Sequence, residues 1–176
     1  MKRRSRLALF VLYAVVMIYL LFLQRVGLKT GMSYAEQLRS SYNLIPGDTV
    51  LRYVRAVWRV FQGNGNPIML RYAAINVVGN VVVFIPLGLF LPELFPKLRR
   101  YWRFLLTVTA LIAMVEVVQL LTLLGSCDVD DLILNVIGAS VGYCFFKRVE
   151  KREKICYNKK NVTRRLRENA DCGSEN

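Results

Sequence analysis

Four long apolar stretches interrupt an otherwise polar and basic chain, and their lengths are the first structural signal. Residues 7–23 (LALFVLYAVVMIYLLFL) and 73–91 carry no charge, residues 104–124 carry only Glu116, and residues 132–146 carry none. A run of about 20 apolar residues matches the ~30 Å hydrocarbon layer of a bilayer, so each stretch predicts a spanning helix. The first is slightly short and the last, at 15 residues, is shorter still; drawing it back to Asp131 gives a span of 131–146. A soluble chain this apolar would spread its hydrophobic residues periodically over many elements. The expectation is an all-α integral membrane protein with one membrane domain, 7–146, preceded by a short terminus, 1–6, and followed by a basic tail, 147–176.

A fifth element is predicted by period rather than by length. Pro46 and Gly47 break the chain, and Asp48 can cap a helix start. Over 49–62, Val50, Leu51, Val54, Val57, Trp58 and Phe61 recur at helical spacing, and Arg52, Arg55 and Arg59 form a separate stripe before GNGNP ends the pattern. Such a helix suits the membrane interface, with Arg52, Arg55, Trp58 and Arg59 at the lipid surface. Two alternatives stand beside this reading: packing on the mouth of the bundle, and recognition of a phosphate-bearing ligand by the arginines.

Charge gives the orientation. The 176 residues carry a formal +13 and no histidine. Counted near helix ends, lysine and arginine mark the cytoplasmic side. Of the 25, 18 fall in the N-terminus (Lys2, Arg3, Arg4, Arg6), the loop ELFPKLRRYWR and the tail, whereas seven are spread over 24–72. Both termini are therefore expected in the cytoplasm, with Asp128 to Asp131 facing outward. No small-x-small cleavage site follows the first apolar run, which favours an uncleaved anchor over a secretory signal. The tail is expected to follow the anionic inner leaflet. The NVT at Asn161 then lies on the wrong side for glycosylation. No long-period repeat supports an inverted-repeat transporter.

The inventory of reactive groups is narrow. Cys127, Cys144, Cys156 and Cys172 show no CxxC spacing, and without histidine a zinc site is not expected; the cysteines read as free thiols, Cys144 as packing. There is no Gly-rich phosphate loop and no Ser/His/Asp set, so any general base is a carboxylate or an amine. The bilayer is the expected partner, nucleic acid is not, and oligomerisation is open.

The polar residues inside the spans converge on one end. With the second helix running inward, Asn76 and Asn80 share a face in its outer half. Glu116 and Gln119 lie in the outer half of the third. In the fourth, Asp131, Asn135, Gly138 and Gly142 fall in a stripe about 60° wide at 100° per residue, with Asp128 at its mouth. Asp130 points away and reads as surface only. Gly138 and Gly142 form a small-xxx-small surface for close helix packing. The expectation is a shared polar pocket of Asn76, Asn80, Glu116, Gln119, Asp128, Asp131 and Asn135. Amides alone are common interhelical glue, but an ionisable Glu116 inside a span is a functional candidate. These oxygens suit a hard cation such as Mg²⁺ or Ca²⁺, hydrogen bonding to a sugar or peptide, or acid/base work by Glu116 with Asp131. No resident cofactor is called for.

Three segments together resemble the VanZ-like family of bacterial membrane proteins: NVVGNVVVFIPLGLFLP from Asn76, EVVQ from Glu116, and GSCDVDDLILNVIGASVG from Gly125. The last fits G-x-x-D-x-x-D-x-x-x-N-x-x-G-x-x-x-G through Gly125, Asp128, Asp131, Asn135, Gly138 and Gly142, and YNLIPGDTV is similar to the family's NLxP stretch. The resemblance implies a bacterial cell-membrane protein associated with envelope protection and low-level resistance to teicoplanin, a glycopeptide bearing an acyl chain. The expected partner is then a lipoglycopeptide or lipid-linked cell-wall precursor engaged at the pocket. A non-enzymatic role is favoured. The rivals are an intramembrane enzyme using Glu116 and Asp131, and a small ion- or proton-coupled carrier.

Overall fold

In the computed structural model of the chain, residues 3–23 and 33–173 are described. Lys2, the 24–32 segment that follows the first span, and the Cys172 thiol lie outside what is described. The elements are α1 (Arg3–Ile18), which winds on as a π-turn over Tyr19–Leu23, then α2 (Tyr34–Ser40), β1 (Tyr42–Asn43), α3 (Asp48–Phe61), α4 (Pro67–Leu94), a 3₁₀ turn (Pro96–Arg99), α5 (Tyr101–Thr122), β2 (Cys127–Asp128) and α6 (Val129–Gly173). Four helices are long and apolar enough to cross a membrane, over Arg4–Phe22, Ile68–Leu94, Tyr101–Thr122 and Val129–Asn161. The protein is an all-α membrane protein.

The centre of the bundle is a seam between α4 and α6. A methyl at Gly138 would overlap the Val81 carbonyl oxygen, one at Gly142 the Ile85 carbonyl oxygen, and one at Gly88 of α4 the Ala139 carbonyl oxygen. Close approach is therefore reciprocal, with glycines on both helices. The pairings advance together along both chains, so α4 and α6 run parallel, and α5 returns the chain between them. On α5, Phe104, Val108, Ile112 and Glu116 repeat every fourth residue and are all buried. The three apolar ones cluster with Phe84 and Leu91 of α4, Ala139 and Tyr143 of α6, and Met17 of α1. Glu116 thus continues a core-facing stripe.

α5 stops at Thr122 because Leu123 takes a left-handed φ of 53°, a conformation costing a side-chain-bearing residue ~1–2 kcal/mol. The following turn lays β2 parallel to β1, pairing Tyr42 with Cys127 and Asn43 with Asp128. α2, which hydropathy does not announce, carries a local signature. Ser33 accepts the Glu36 amide, and the Glu36 carboxylate accepts the Ser33 amide at 2.8 Å, a reciprocal capping box.

At the opposite end of the bundle the charged loops are tied. Arg6 pairs with Glu93, and Glu150 gathers Lys147 at 2.9 Å, Lys154 at 3.2 Å and Arg99 at 3.4 Å. The tail is helical where it leaves the bundle. Its first residues continue α6, whose 45 residues extend ~67 Å at ~1.5 Å each. Charges spaced three and four apart around Glu150 favour that continuation.

Candidate functional site

Of the three aspartates that open α6, two hold the start of α3 and the third holds α4. Asp128 is the N-cap of α6: its Oδ1 accepts the Asp130 amide at 2.9 Å. Its Oδ2 accepts the Thr49 hydroxyl of α3 at 2.6 Å. Asp130, read from the helical wheel as surface, is in fact 2% exposed. Its Oδ1 accepts the Gly47 amide at 2.5 Å and its Oδ2 the Val50 amide at 3.0 Å. The reason lies in α3. Its N-cap is Gly47, at a φ of +86° that favours glycine, and Gly47 has no side chain to cap with. Asp48, expected to cap, is instead the first helical residue and pairs with Arg52 at 3.3 Å. The capping carboxylate comes from α6, where it also meets the positive end of the α3 dipole.

Thr49 completes this junction. It donates to Asp128 and accepts from Asn43 Nδ2 at 3.1 Å and from Arg52 Nη2 at 2.8 Å. One hydroxyl thereby uses its donor and both lone pairs. Arg52 belongs to the junction and not to a free cationic stripe.

Asp131 looks the other way. Its Oδ1 accepts Asn80 Nδ2 of α4 at 2.5 Å. One turn toward the start of α4, Asn76 donates to the Tyr53 hydroxyl of α3 at 2.6 Å. Gln119, 1% exposed, sends its Nε2 to the Leu21 carbonyl in the π-turn after α1, at 2.8 Å. Glu116 and Asn135 are buried at 5% and 3%. Two amide oxygens, Gln119 Oε1 and Asn135 Oδ1, accept no hydrogen bond among the described residues. Buried acceptors without donors carry a desolvation cost and mark where a ligand's hydroxyl or amide protons, or a water, would be welcome.

Cys127 reports on this region from the loop. Burial pushes its thiol above the ordinary range, and the Glu116 and Asp128 carboxylates push it further, so Glu116 lies within electrostatic reach of the β2 strand. Among the described residues no three His, Cys, Asp or Glu side chains assemble as a metal-ligand set. The side chains gathered here are carboxylates and amides, whose oxygens can accept hydrogen bonds from a ligand.

Beside the polar residues, α3 and the first turns of α4 enclose an open apolar groove of about 960 Å³. Val50, Tyr53, Val57, Trp58, Ala73 and Val77 are among its walls, with Arg55 and Arg59 at its edge. Tyr53 lines the groove and bonds Asn76, so the groove adjoins the polar layer. Sequence periodicity found α3. It did not find the groove, which depends on the hairpin: Asn66 caps α4 by accepting the Ile68 amide at 2.9 Å, and Gly65 fits against the Val60 backbone.

A sequence model described as VanZ/LLP1 matches residues 10–150. Comparison with curated proteins and with solved structures gave no match.

Proposed function

Because the chain belongs to the VanZ/LLP1 family, we propose that it protects the bacterial envelope, giving low-level teicoplanin resistance by engaging an amphiphile at the α3 end of the bundle. In this reading both termini are cytoplasmic and the α3 end faces outward, as the lysine and arginine distribution suggests. Sugar or peptide groups meet Asn80, Glu116, Asp131 and Asn135, while an acyl chain lies against the apolar helices. The observation that carries the reading is the adjacency of groove and polar layer: Tyr53 walls the groove and bonds Asn76, and one turn on, Asn80 bonds Asp131. An amphiphile with an acyl tail and a hydrogen-bonding head fits that sequence of surfaces.

The test is teicoplanin and vancomycin susceptibility of a Gram-positive host expressing wild type, Asp131→Asn or Glu116→Gln at matched membrane abundance. Asn at 131 can still accept from Asn80 through its remaining oxygen, so the fold is retained while the charge is gone. Selective teicoplanin protection by wild type, lost in both variants, supports the proposal. Equal protection by all three removes the carboxylates from the mechanism. No protection by wild type removes the resistance role altogether.

A further inference from the structure

The groove between α3 and α4 is apolar on its walls and cationic at one edge, and the cations there are uncommitted. Arg52 is occupied by Asp48 and Thr49. Arg55 and Arg59 line the groove yet enter no ion pair among the described residues. Both are exposed, as are Val54, Trp58 and Phe61, the last at 79%. The facing wall is Leu70, Ala73, Ala74, Val77 and Val78, which belong to a candidate membrane span. Its two alanines leave width that larger residues would fill. An open cavity of the size that holds small ligands, with mostly apolar walls and two exposed arginines among its lining, has the complement of a single-chain tail joined to an anionic head.

We infer that this groove binds an anionic phospholipid, one acyl chain between α3 and α4 and its phosphate on Arg55 and Arg59. Guanidinium forks match phosphate oxygens in two-pronged hydrogen bonds. A tail in the groove covers apolar surface that α3 otherwise exposes. The groove is the one that adjoins the polar layer in the antibiotic reading, but the phosphate site rests on Arg55 and Arg59 and invokes neither Glu116 nor Asp131, so it can fail or stand separately.

The experiment uses tryptophan as its reporter. The chain has two tryptophans, Trp58 in the groove and Trp102 at the start of α5, so Trp102→Phe leaves Trp58 alone. The full-length protein is reconstituted in phosphatidylcholine containing a minor fraction of brominated phosphatidylglycerol or, in parallel, the same fraction of brominated phosphatidylcholine. The two arginines predict roughly 30-fold enrichment of the anionic lipid at the site, seen as near-maximal Trp58 quenching by brominated phosphatidylglycerol at a fraction where brominated phosphatidylcholine quenches little. Arg55→Gln with Arg59→Gln abolishes the preference, while quenching in wholly brominated phosphatidylcholine stays unchanged and shows that α3 keeps its place. Equal quenching by both lipids, or a preference that survives the double substitution, overturns the inference. So does a Trp58 untouched by wholly brominated lipid, the outcome expected if a second copy or another segment fills the groove.

Discussion

Asp130→Ala removes a carboxylate that α3 cannot replace. The Gly47 and Val50 amides lose their acceptor in a site where Asp130 is 2% exposed, and Gly47 has no side chain to substitute. Losing a cap costs ~0.5–2 kcal/mol, and a hydrogen bond to a charged group is worth ~1.5–3 kcal/mol. These terms overlap, so we take ~2–4 kcal/mol as the weakening of the hold on α3, an increase of roughly 30- to 900-fold in its opening equilibrium. Amide hydrogen exchange in nanodiscs reads that equilibrium directly. The α3 amides should exchange faster by that factor, while those of α4 in the Gly88 region stay protected. Asp130→Asn keeps one oxygen and turns an NH₂ toward the other amide, so it should fall between. Asp48→Ala is the comparison: it deletes an exposed ion pair worth ~0–1 kcal/mol and should barely change exchange. An Asp130→Ala protein whose α3 protection matches wild type would refute the capping role.

Gly142→Ala sets a methyl against the Ile85 carbonyl oxygen and 3.0 Å from the Gly88 Cα, and should destabilise by ~1–3 kcal/mol in thermal unfolding in detergent. Gly79→Ala, with nothing within 4 Å of the new methyl, should be neutral or stabilising by up to ~1 kcal/mol. Maleimide should modify Cys127 more slowly than a fully exposed thiol and need a higher pH, because its raised pKa delays the thiolate. Glu116→Gln, by removing one of the neighbouring charges, should advance that pH profile. An impermeant maleimide added outside intact cells should reach Cys127 and spare Cys156; the reverse pattern would invert the proposed orientation.

The spans were legible because hydropathy over a whole bilayer thickness is a strong signal, and α3 because an amphipathic period survives in a single helix. The glycines of α6 were legible as a stripe. Gly88, their counterpart, was not, since nothing in the α4 pattern says which side meets α6. Asp130 was misread for a related reason: a helical wheel orders residues about their own axis, whereas its partners are the free amides of another helix, brought close by a parallel two-residue bridge. The same holds for Gln119, whose amide reaches a carbonyl of the π-turn that follows α1. The S-x-x-E of Ser33 to Glu36 was readable and predicts α2. The continuation of α6 past Lys147 was readable too, from its oppositely charged pairs at helical spacing.

The reciprocal glycine seam has a mechanical consequence. Two helices meshed backbone to backbone cannot slide or roll without driving a side chain into a carbonyl, so α4 and α6 form the fixed frame of the molecule. Asn80 and Asp131 ride on that frame, and their separation is set by steric register before it is set by their hydrogen bond. α1 is geared differently. Its outward side is largely uncovered, and its ties include Tyr13 to the Val83 carbonyl, Leu21 to Gln119, and Arg6 to Glu93. α1 thus rests on the fixed pair through side-chain ties and not through a backbone seam.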